Sequence, residues 1–236
     1  MAVHAQKATR ARVASEFEEG AATAIGGVLL LMLGASFLTV TMLAASIAPA
    51  YDFNAAAISD LGVIDATALL FNALLVVVGA LNVAAGLLLY QSHRRAWILA
   101  MYLLAGIGAV GAGLVALDTS DFHSLFALFG FVFFNVEAIA TGSVLRGPIR
   151  PISFAAGLIG LVYVVIMVIG DADNAAVFGA IGHGGSERMI VYPAMLWTLV
   201  AGGYLTSART HDGNAGSGTG PRPRRPGAHA RCTLVR

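Results

Sequence analysis

AGLLLYQSHRRAWILAMYLL, residues 85–104, sets two apolar runs on either side of a His-Arg-Arg triplet. Extended outward, the runs cover Ala66–Tyr90 and Trp97–Leu117. Each has about the twenty residues that a helix needs to cross a hydrocarbon core of roughly 30 Å. A basic triplet between two such runs reads as a short turn between antiparallel membrane helices, held on the side of the bilayer where Lys and Arg collect.

The rest of the chain repeats this pattern. Its 236 residues are 58% hydrophobic and 11% charged, with a mean hydropathy of +0.79, well outside the composition of a soluble domain. Further apolar runs lie at Ala24–Ala48, Ser124–Leu145, Ile152–Ile169 and Met189–Thr206. In the first, Ala48-Pro49-Ala50 resembles a signal-cleavage site, but the polar leader and the length of the run favour an uncleaved span. The fold class expected is therefore all-α: a multi-pass integral protein of the cell membrane with six transmembrane helices and the lipid bilayer as its environment.

Thirteen of the fourteen basic residues lie before the first run, after the sixth, or in the 91–96 and 146–150 loops, whereas Asp52, Asp60, Asp65, Asp118, Asp121, Asp171 and Asp173 lie in the other loops with Arg188 as the single base. The positive-inside rule then puts both termini in the cytoplasm. Three segments follow: a polar cytoplasmic stretch at 1–23, the membrane domain at 24–206, and a basic cytoplasmic tail at 207–236. The tail, rich in Gly, Pro and Arg, is expected to be disordered. Cys232 in that tail is the lone cysteine and says nothing about redox compartment. No nucleic acid is expected as a partner, and no cofactor is indicated.

GIGAVGAG, residues 106–113, satisfies the G-x-G-x-x-G dinucleotide pattern, but that pattern works between a strand and a helix start. Mid-span, small residues instead allow close helix packing. Asn72, Gly79, Asn82 and Gly86 share one stripe of the second span and should face the bundle. Pro193 is expected to kink the sixth span or to sit in its first turns.

The candidate functional residues gather at the acidic loops. Ser59, Asp60, Asp118, Asp121, His123, His183, Glu187 and Arg188 have the side chains that bind a metal or perform acid–base chemistry. Asp118, His123 and His183 form the candidate metal set, with Ser59 or Ser186 assisting. Asp65 and Asp121 are also placed to cap helices. Asn54 and Gly62 bracket a short helix with Asp60 in its last turn, where a carboxylate opposes the helix dipole. Arg188, at the start of the sixth span, is equally misplaced, so the two are expected to pair, leaving Glu187 to face His123 or His183. Deeper in the membrane, Glu137 shares a face with His123, Ala127, Gly130 and Thr141. It reads either as part of a proton or ion path, or as a protonated carboxyl bonded to Asn72, Asn82 or Asn135.

AISDLG in the first acidic loop, DFHSLFALFGFVFF opening the fourth span and ERMIVYPAMLWTLVAGGYL along the sixth resemble the membrane proteins grouped as domain of unknown function 998. The resemblance runs from about residue 24 to 206. It implies six spans and assigns no activity; its motif positions fall on Ser59, Asp60, Gly62, His123, Glu187, Arg188, Tyr192 and Pro193. Three readings of function stand: binding or transport of a small ligand, ion or lipid headgroup at a polar site on the extracytoplasmic side, a metal-dependent intramembrane hydrolase, and a scaffold or partner subunit.

Overall fold

A computed structural model describes residues 2–120 and 122–215. Among them are six helices long and apolar enough to cross a membrane, and no strand. They are α1 (Ala2–Ile47), α2 (Ala68–His93), α3 (Ala96–Leu114), α4 (Phe122–Gly142), α5 (Ile149–Asp171) and α6 (Gly182–Ala215). In hydrocarbon only a helix satisfies every backbone N–H and C=O within its own segment, which is why runs of this composition take this form. The His-Arg-Arg triplet closes α2 and opens α3. Arg94 adopts a left-handed conformation (φ 53°), its N–H bonds to Tyr90 O at 2.9 Å, and Arg95 N–H reaches His93 Nδ1 at 3.0 Å.

The helices run up and down in a ring, each packed against its neighbours in sequence, with α1 closing against α6. Contact between α4 and α6 is also direct, and α5 packs against both. Small residues permit these approaches. A Cβ on Gly79 of α2 would lie 2.5 Å from Gly106 O of α3, one on Gly108 of α3 would lie 2.4 Å from Gly130 N of α4, and one on Gly202 of α6 would lie 2.5 Å from Gly27 O of α1. The glycine pattern of α3 is therefore a packing surface and presents no phosphate-binding loop. Apolar side chains such as Leu158, Val162 and Val165 of α5 remain exposed on the periphery, as lipid contact requires.

Several local expectations change. The short helix proposed between Asn54 and Gly62 is only a 3-10 turn, Ser59–Gly62, with Asp60 in its first turn, where a carboxylate suits the dipole. Gly62 is not left-handed; a Cβ there would meet Asn72 Oδ1 at 2.6 Å, so its small size serves close packing. The residue before α2 is Thr67, which donates to Leu61 O at 2.8 Å, and Asp65 does not cap. A 3-10 segment, Ala175–Ile181, leads into α6, which begins at Gly182 and holds Glu187 and Arg188 in its second turn. Pro193 sits in the interior of α6, beyond its first turns. The cap assigned to Asp121 and residues 216–236 of the tail lie outside the described residues.

Candidate functional site

The loop between α1 and α2 lies across the first turns of α6, and Arg188 holds it there. Its Nη1 donates to Phe53 O (2.9 Å), Ala56 O (3.1 Å) and Gly184 O (2.7 Å), and its Nη2 to Tyr51 OH (2.6 Å). The guanidinium carbon stands 4.8 Å from the Phe53 ring centroid and 5.5 Å from that of Tyr51, at cation–π distance. Tyr51 OH in turn donates to Ala57 O at 2.7 Å. Burial pushes its phenol up to about 12, against the opposing pull of the Arg188 charge. Glycine is required beneath this loop: Gly182 is left-handed (φ 67°), and a Cβ on Gly184 would lie 2.1 Å from Ala56 O. The expected Asp60–Arg188 ion pair does not form. Both groups instead take backbone partners, Asp60 Oδ2 accepting from Ala57 N–H at 2.9 Å.

Glu187, beside Arg188 but turned away from it by one helical step, accepts a short hydrogen bond from Ile58 N–H. Its carboxyl thus sits at the N-terminal end of the 3-10 turn, where a free backbone amide donates to it. On the facing helix, His123 is 3% exposed and its Nδ1–H donates to Val115 O at 2.7 Å. A carbonyl can only accept, so Nδ1 carries a hydrogen, and the other ring nitrogen, Nε2, is buried without a partner.

Ser59, His123 and Glu187 stand where two cavities meet. Above them is a vestibule at the acidic end, bounded also by Asp60, Asp171 and His183, with Leu128 and Val168 marking its side between α4 and α5. Below is a narrow apolar chamber between α1, α2, α3, α4 and α6, walled by Phe37, Phe71, Phe126, Phe134 and Met195. Ala127 and Phe131 line both spaces. In the chamber wall, Asn135 Nδ2 donates to Phe131 O (2.7 Å) and Ile190 O (3.0 Å), while its Oδ1 is buried without a donor.

Five of the expected site residues, Ser59, Asp60, His123, His183 and Glu187, therefore border one space. Arg188 is tied into the loop, and Asp118 is not among the residues lining the vestibule. His183 Nε2 lies 3.3 Å from Asp171 Oδ1. Among the described residues no group of three or more His, Cys, Asp or Glu side chains is gathered to hold a metal ion, so Asp118, His123 and His183 do not form the expected set. Ser186 is fully buried and donates to Gly182 O at 2.9 Å. Asn135, Tyr51 and Asp171 were not singled out for these roles. An amide in the same span as His123 was the available signal for Asn135, and the Tyr-x-Phe spacing was the signal for the clamp on Arg188.

Glu137 occupies a separate place. It is fully buried, and Asn82 Nδ2 donates to its Oε2 at 2.7 Å, which selects one of the three expected asparagines. The same Nδ2 lies 3.1 Å from Tyr102 O, and Tyr102 OH is 3.1 Å from Thr141 Oγ1.

No curated protein and no solved structure matches the chain. A family model does match, over residues 31–204, and its span includes parts or all of the six helices together with the loop that carries Ser59 and Asp60. The chain thus belongs to the family of multi-pass membrane proteins described as protein of unknown function, DUF998.

Proposed function

We propose that the bundle is a binding module for a membrane amphiphile, with a hydrogen-bond-donating, neutral or cationic head in the vestibule and an apolar portion in the chamber. One observation carries this: a polar space and an apolar space meet at Ser59, His123 and Glu187, and the buried His123 Nε2 at that junction has no partner. A buried polar nitrogen without a partner is costly, about 1–3 kcal/mol, and a polar group on the ligand head would relieve it. Asp60 and Asp171 favour a cationic head over a phosphate. The side of the vestibule marked by Leu128 and Val168, both exposed, suits entry from the bilayer.

A long-chain amine carrying a photoreactive diazirine tests the reading. It should label Phe126 or Phe134 in the purified protein. Ala127→Phe, at the junction, should abolish that labelling, while Val165→Phe on the lipid-facing side of α5 should leave it unchanged. Equal labelling of both variants would overturn the proposal. The distribution of Lys and Arg supports a vestibule end that faces away from the cytoplasm. In a Cys232→Ser background, single cysteines at Ser120 and Asn174 should label from outside the cell, and one at Ser92 should not.

A further inference from the structure

We infer that Glu137 is a proton-exchanging site served from the basic end of the bundle, independent of the ligand chamber. The carboxyl is fully buried on α4, five residues before the helix ends at Gly142, and its Oε1 has no partner. Beside it, Asn82 Oδ1 is also buried without a donor, although Asn82 Nδ2 bonds the other carboxyl oxygen. A proton on the carboxyl turns it from an acceptor only into a group that can also donate, and so removes the charge from this buried place. An ionised carboxylate here would be left in hydrocarbon with one amide donor and no cation.

A cavity reaches toward it from the basic end. This cavity, with Arg95, Arg146 and Arg150 among its lining residues, is also lined by Tyr102 and Thr141. Their hydroxyls are 3.1 Å apart. Thr141 lies four residues beyond Glu137 on the same face of α4, ~6 Å closer to that cavity at 1.5 Å per residue. One water between the unpartnered Oε1 and this pair would complete the path, and each hydroxyl would then accept one proton and pass on its own without changing charge. The three arginines oppose entry of a metal cation, whereas a proton is relayed through hydroxyls; the occupant is therefore a proton. The titratable group facing the site is the Tyr102 phenol of α3, and Asn82 of α2 is its amide partner. Among the described residues α1, α5 and α6 contribute no charged partner to it.

Infrared spectroscopy of the purified full-length protein reads this proton directly. A protonated-carboxyl C=O band that is missing from Glu137→Gln should be present at neutral pH and should shift on transfer to D2O well before the core amides exchange. Tyr102→Phe should slow that shift by at least about tenfold, the rate equivalent of 1.4 kcal/mol. Should Glu137→Gln fail to fold, Asn82→Ala assigns the band instead, because losing the amide hydrogen bond moves its frequency. Absence of the band, exchange as slow as that of the core amides, or exchange unaffected by Tyr102→Phe would each overturn the inference.

Discussion

Glu187 and Glu137 are both buried carboxyl groups on helices of one bundle, yet they are accommodated by different means. Glu187 lies near the start of α6, opposite a loop whose backbone amides are not consumed by a helix, and it takes Ile58 N–H. Glu137 lies within α4, five residues before its end, where neighbouring N–H groups are already bonded along the helix axis, so only a side chain can reach it, and Asn82 provides one bond. The end of a bundle thus offers backbone dipoles to a charge, whereas its middle offers only what other side chains bring. The same contrast separates a fully partnered carboxylate oxygen, which fixes a loop, from an orphan oxygen, which is available for chemistry.

The largest expected effect is at the loop end. Arg188→Ala removes three hydrogen bonds and two ring contacts from the 51–56 loop, and should lower stability in detergent by about 3 kcal/mol or more, read by thermal unfolding. Arg188→Lys should recover only part, since an ammonium cannot span the carbonyls and stack on the rings together. If Lys restores the melting temperature fully, the guanidinium geometry is not what holds the loop.

Next comes the contrast between the two carboxyls. Glu187→Ala leaves Ile58 N–H buried and unpaired, at a cost of about 1–3 kcal/mol, while Glu187→Gln keeps an acceptor and should cost less. Glu137→Gln should be milder still in thermal unfolding, because the amide replaces a neutral carboxyl at the same place. Comparable losses for the two Gln variants would erase the distinction between middle and end.

Smaller effects sharpen the account of the loop. In a double-mutant cycle, Asp60→Asn and Arg188→Gln should be additive to within about 0.5 kcal/mol, since each residue bonds backbone and not the other. Strong coupling between them would restore the ion pair. Tyr51 should contribute a modest alkaline dependence. Its folded phenol, at about 12, stands above the ordinary 10.0. Its stabilisation is therefore complete below pH 10 and is lost as pH rises toward 12. Tyr51→Phe should remove that part of the pH profile.

Much of this was legible in the residues themselves. The apolar runs located all six helices because hydrocarbon imposes one length and one backbone form, and the glycines of α3 read correctly as packing because no strand or helix start accompanies them. The inward face of Glu137 followed from helical periodicity, and Asn82 was among its named partners. Asp60 and Arg188 were misread because formal charge is visible in a sequence, while the free amides and carbonyls of an irregular loop are not.

By itself, then, the sequence determined the number of spans and the faces that turn inward, since these depend on the bilayer and on local periodicity. Only the tertiary structure decided that Phe53 and Ala56 lie over Arg188, more than 130 residues later, that Ile58 meets Glu187, and that His123, Ser59 and Glu187 stand at the junction of two cavities. Those relations arise from how six helices close into a ring and where that closure sets one loop against another helix, and neither spacing along the chain nor the charge of a residue contains that distance.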